Sequence, residues 1–204
     1  MGLDYSYLLY FKRDKVWDAL QGVVQVSSHH LPPAKIVFPD RQLSIPLRTW
    51  SWNHQEIHHD DQKLEFQLAM YFSGKDTEII EYNRAMGNEG PDRSPPDDAN
   101  ENKILVGLIY LTVFLNDSDY SSGEHVLFKF KAAGTTMSIL FVNSPSIQKG
   151  FKDLLEKNHG VSGVLDREDG GGMLFWFQGR SYEMDIYDAY MKPVEVEELL
   201  QKHK

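Results

Sequence analysis

Leu64-Glu65-Phe66-Gln67-Leu68-Ala69-Met70-Tyr71-Phe72 carries an apolar side chain at every second position, with Glu65, Gln67, Ala69 and Tyr71 in between. Successive side chains of an extended chain point to opposite faces, so this stretch predicts a strand that covers a core on one face. Such a strand needs neighbours, and the chain supplies them on both sides. Tyr5 to Phe11 is rich in aromatic and aliphatic residues, and Leu105 to Leu115, Val126 to Lys131 and Met137 to Val142 are separated by Gly, Ser and Asp turns, so all four read as strands. Leu105 to Leu115 is apolar at both parities, which predicts a central strand covered on both sides.

Two helices are expected among these strands. From Asp14 onward Val16, Leu20, Val23 and Val24 fall on one helical stripe. Ser144-Pro145 combines a capping hydroxyl with a proline at the first helical position, and Ile147, Phe151, Leu154 and Leu155 give the buried stripe of a helix running up to Gly160. Pro32-Pro33 returns the chain to an extended path, with short strands at Ile36-Val37-Phe38 and Leu43 to Leu47 joined at Pro39-Asp40. Pro46 places the second of these at a sheet edge. Met173 to Phe177 and Tyr182 to Tyr187 add two strands, and Pro193 starts a short C-terminal helix with glutamates early and lysines late. Met86 to Asn102, with its prolines, glycines and acidic and amide residues, predicts a mobile loop at 86–102.

The expected fold class is α+β, in a single compact unit over 1–204. A mostly antiparallel sheet, or two fused sheets, carries two main helices on one face, plus the C-terminal helix. A gapless shift that lays Leu8 to Phe11 on Ile139 to Val142 also lays Val16, Leu20, Val23 and Val24 on Ile147, Phe151, Leu154 and Leu155, and Leu43 and Ile45 on Leu174 and Trp176. This raises a duplicated ferredoxin-like strand-helix-strand-strand-strand unit with pseudo-repeat halves 4–72 and 136–190. Chance resemblance between two amphipathic helices that follow apolar stretches stays open beside it.

Composition narrows the function classes. The 204 residues hold 41% hydrophobic and 25% charged side chains, which excludes global disorder. With no cysteine there is no disulfide, thiolate metal site or cysteine nucleophile, and a cytoplasmic location is expected. Met1 to Tyr5 lacks the basic-then-apolar order of a secretory leader, and no apolar run is long enough to span a bilayer as a helix. A formal net charge of −9 repels a phosphate backbone, so nucleic acid is not an expected partner, and without a spanning run neither is a membrane.

The chemistry-bearing candidates are few. His54-Gln55-Glu56-Ile57-His58-His59-Asp60-Asp61, together with His29-His30, holds five of the eight histidines, and His54, His58, His59 and Asp60 form a candidate metal-ligand set. Its glutamate sits one place late for the zinc-protease spacing, and a solvated polar loop explains the same residues. Asp166 to Gly172 precedes a strand rather than a helix and reads as a hairpin turn, not a phosphate or calcium loop. Tyr5, Tyr7, Tyr10, Tyr182, Tyr187 and Tyr190 offer an aromatic pocket or partner surface, with half-buried strand packing as the plainer account. No serine elbow, Walker loop or dinucleotide fingerprint occurs. The expectation is a non-catalytic binding protein without a cofactor, acidic enough to meet a basic protein partner. A metal-dependent enzyme built on His54, His58 and His59 is the alternative.

Overall fold

The structure is a computed structural model that describes residues 3–27, 33–49, 56–87 and 103–202. Its main element is an antiparallel 8-stranded sheet. In chain order its strands are β1 (Ser6–Lys12), β4 (Arg48–Thr49), β6 (Lys63–Ser73), β7 (Lys103–Phe114), β8 (His125–Ala132), β9 (Gly160–Asp166), β10 (Gly172–Phe177) and β11 (Arg180–Ile186). Across the sheet they run β11-β10-β9-β1-β8-β7-β6-β4. A smaller 3-stranded sheet of β2 (Ala34–Val37), β3 (Gln42–Ile45) and β5 (Glu56–His58) has β3 at one edge, as Pro46 predicts. Five α-helices occur among the described residues: α1 (Val16–Gln25), α2 (Thr77–Ala85), α3 (Thr135–Asn143), α4 (Pro145–Lys157) and α5 (Pro193–Lys202). None of these helices is long and apolar enough to cross a membrane.

β1 shows how the layers divide. Its Tyr7, Leu9 and Phe11 enter the larger core with Val16 and Leu20 of α1, Ile79 of α2, Leu140 and Phe141 of α3, and Phe151 of α4. The residues between them, Leu8 and Tyr10, point the other way into a second cluster with Val196 of α5. Alternation along one strand thus assigns α1 to α4, with the small sheet, to one face and α5 to the other. The two-helix expectation is corrected to four on the first face, because α2 and α3 pack there as well.

Three further differences have physical causes. Met137 to Val142 is helical, within α3, with Met137, Leu140 and Phe141 buried and Ile139 47% exposed. From Ile139 to Val142 the apolar side chains follow one another without a gap, a pattern that length and packing must decide. Under the gapless shift β1 therefore lies on a helix, while α1 does fall on α4. Second, β7 is internal but fully covered on one face only: Ile109, Leu111 and Val113 are buried, whereas Leu108 is 38% exposed and Tyr110, Thr112 and Phe114 are half-buried. Third, α2 and β9 have no counterpart among the elements expected from the sequence. The expected 86–102 loop lies outside the described residues apart from Met86 and Gly87.

Candidate functional site

The histidine stretch divides between what is described and what is not. His29, His30, His54 and Gln55 lie outside the described residues. His58 ends β5, which pairs in parallel with β2 through Val37. Its N–H donates to Asp61 Oδ2 at 3.0 Å, and the next N–H, of His59, donates to the Val37 carbonyl at 3.1 Å. The His59 ring stacks on Phe38 with centroids 5.4 Å apart, and its Nδ1 lies 3.3 Å from the Val37 carbonyl and 3.9 Å from Asp60 Oδ1. Asn116 Nδ2 donates to the carbonyls of Asp60 and Asp61, tying this turn to the end of β7. Asp61 Oδ2 and the His59 ring are thus engaged by the turn itself. Among the described residues no three histidine, aspartate or glutamate side chains gather in a way that holds a metal ion.

The most distinctive surface is the outer edge of β11. Seven residues long, it ends the sheet, pairs on one side with β10 and has no strand on the other among the described residues. Tyr182 and Met184 face the second cluster and are held by it. The alternate residues Ser181, Glu183, Asp185 and Tyr187 are exposed, Tyr187 by 73%. Such a row of unmet backbone donors and acceptors is a template for another extended chain.

Its charge is one-sided. Between Arg180 and Asp188 there are three carboxylates, Glu183, Asp185 and Asp188, against one arginine. Arg167 Nη2 meets Asp185 Oδ1 at 3.0 Å from the neighbouring hairpin turn, and Glu183 has no cation within ion-pair distance among the described residues. Asp166 to Gly172 is indeed that turn, between β9 and β10. It closes through Glu168 N–H on Asp166 Oδ1 at 3.0 Å and Gly171 N–H on Asp169 Oδ1 at 3.1 Å, with Gly170 at φ 86°.

The segment after β11 is pinned from below. Tyr10 Oη donates to the Tyr190 carbonyl at 3.1 Å, Tyr190 N–H donates to Asp188 Oδ1 at 2.9 Å, and Lys192 Nζ donates to the Ser118 carbonyl at 3.0 Å. Burial, and then the nearby Glu195 and Asp188 carboxylates, push the Tyr10 hydroxyl well above the usual tyrosine range, so it stays protonated and donating. Of the tyrosines singled out in the sequence, Tyr7 and Tyr10 are core residues and Tyr182 and Tyr190 line the second cluster. Tyr187 alone of these stands out on the edge. Alternating exposed charge in a final strand is an edge signal, and Glu183 and Asp185 carry it legibly in the sequence.

No protein-family model matches the chain, and neither a curated protein nor a solved structure does.

Proposed function

We propose that this chain is a non-catalytic binding protein that takes up a basic, extended segment of a partner protein along the outer edge of β11. The observation that carries this is an end strand of seven residues whose unpaired edge is flanked by Glu183, Asp185 and Tyr187. Main-chain hydrogen bonds to such an edge supply affinity, while side chains at alternate positions supply selectivity. Glu183 favours a lysine or arginine opposite it, Asp185 being already engaged by Arg167, and the net charge of −9 steers a basic partner toward the molecule from a distance. The same carboxylates repel the edge of a second copy, which makes the edge selective as well as open. No common origin of the halves 4–72 and 136–190 is needed for this role.

The test uses the full chain as bait in lysate of its source, beside the double variant Glu183→Lys, Asp185→Lys. A stoichiometric partner is expected at low salt, released at high salt, and lost from the double variant. In the recovered complex the β11 amides gain protection from hydrogen exchange. A clean negative at low salt, or a partner kept equally by the double variant with β11 unprotected, overturns the proposal.

A further inference from the structure

The face of the sheet opposite α1 to α4 is only partly covered. α5 and the 187–192 segment lie over the β8-to-β11 end, and beyond them β6, β7 and β8 leave a depression of ≈ 310 Å³.

The side chains on this open face follow from the register. Glu65 pairs with Thr112 and Thr112 with Lys129, while Gln67 pairs with Tyr110 and Tyr110 with Lys131. Lys63, Lys129, Lys131, Tyr110, Thr112 and Phe114 line the depression, with Glu65 as its one carboxylate. Lysines outnumber carboxylates among these lining residues, although Asp4, Asp166 and Glu168 stand close enough to act on Lys129. Two of the three lysines are already neutralised, Lys63 by Glu65 at 2.9 Å and Lys131 by Asp4 at 2.8 Å. Lys129 has no carboxylate within ion-pair distance among the described residues. Its ammonium donates to the Tyr190 hydroxyl and sits 5.1 Å from the centre of that ring, and Asp166 acts on the same hydroxyl. Beside it runs an aromatic wall: Phe114 lies 4.6 Å from Tyr120, and Tyr120 lies 5.4 Å from Tyr190, centroid to centroid.

We infer that this depression binds a small aromatic carboxylate, its carboxylate on Lys129 and its ring against Phe114. One ammonium without a direct ion pair matches a monoanion better than a dianion, and the volume lies at the small end of the range of about 300–1,000 Å³ typical of small-molecule sites. The Tyr190 hydroxyl meets one of the three ammonium donors, and a carboxylate adds an ion pair and a second, charge-assisted hydrogen bond. Burial holds the Lys129 ammonium below the usual lysine range, against the pull of Asp166, which is the state a bound anion relieves.

The test is calorimetric titration of the full chain with benzoate, phenyl phosphate and benzyl alcohol. Benzoate is expected to bind saturably and more tightly than phenyl phosphate, with benzyl alcohol failing to bind. Lys129→Met weakens benzoate about tenfold or more, while Lys157→Met, outside the depression, leaves it unchanged. In wild-type protein, benzoate shifts the amide resonances of β7 and β8, a readout that does not depend on any variant folding. Equal binding of benzyl alcohol, tighter binding of phenyl phosphate, no saturation, or shifts confined to other elements overturns the inference.

Discussion

The Asp76 carboxylate accepts the Ser144 hydroxyl at 2.7 Å, and through that contact one side chain serves the N-termini of two helices. Its Oδ1 accepts Glu78 N–H at 3.0 Å and so caps α2, while its Oδ2 also accepts Ser146 N–H at 2.9 Å in the first turn of α4. Ser144 caps α4 in its own right by accepting Ile147 N–H at 3.1 Å. Three otherwise unpaired N–H groups at two helix starts are met by two side chains, with negative charge where the helix dipoles favour it.

Removing that carboxylate is expected to be expensive for a half-exposed residue. Asp76→Ala loses a cap and two charge-assisted contacts, and urea unfolding should show a loss of about 2–3 kcal/mol, with Asp76→Asn closer to wild type. Burial pushes the carboxyl up, but hydrogen bonds from Ser144, Ser146 and Glu78 outweigh it and hold the group below the usual carboxylate range. A depressed carboxylate contributes stability that is present above its unfolded value and lost as pH falls through its folded one. Wild type should therefore lose stability relative to Asp76→Ala on acidification below the usual carboxylate range, and the two unfolding midpoints should converge.

Gly163 lets α4 lie close on β9. A Cβ there would sit 2.6 Å from both Leu155 Cδ1 and Phe175 Cζ, two side chains that are themselves buried. Gly163→Ala is expected to cost about 1–3 kcal/mol by overpacking. Gly123→Ala, with no atom within 4 Å of its Cβ, is the control and should change stability by less than about 0.5 kcal/mol in the same urea melts.

The same packing explains which elements are legible in the sequence. β6, α1 and α4 are legible because each sets its large apolar side chains on one stripe or one parity, although in β6 Gln67 and Ala69 of the other parity are buried as well, and the Ser144 cap marks where α4 begins. β9 is hidden because Gly160, Ser162 and Gly163 are poor strand formers, kept here by the close approach of α4. α2 has its cap at Asp76 but buries only Ile79 and Asn83, too thin a stripe to announce itself. At the open face, the alternation of Lys129 and Lys131 is visible in the sequence. Their neighbour Tyr190 is brought there by topology alone, from the far side of β9 to β11.

The histidine stretch yields a direct expectation. Asp61 and His59 are engaged by the turn that contains them, so protein purified without chelators should carry only trace transition metal, equally in wild type and in His58→Ala. Elemental analysis by mass spectrometry measures this. About one metal per chain in wild type, lost in His58→Ala, would instead put the metal-dependent enzyme on His54, His58 and His59 ahead of the binding role.

The β11 edge should respond to salt with opposite signs toward different partners. An antiparallel pairing of two copies centred on Met184 sets Glu183 of each against Asp185 of the other; like charges directly opposite are destabilising by roughly 0.2–1 kcal/mol per pair, and the Arg167 contact to Asp185 keeps this at the low end. Replacing both by alanine removes two such pairs, so self-association followed by sedimentation velocity should rise about twofold at low salt. In wild type, added salt screens the repulsion and should raise self-association, and in the double variant, which keeps a net charge of −7, the rise should be smaller. Binding of a basic segment to the same edge should weaken with salt. A wild-type edge that stays monomeric at every salt concentration, with an alanine variant that behaves identically, would show that the two carboxylates do not guard this strand.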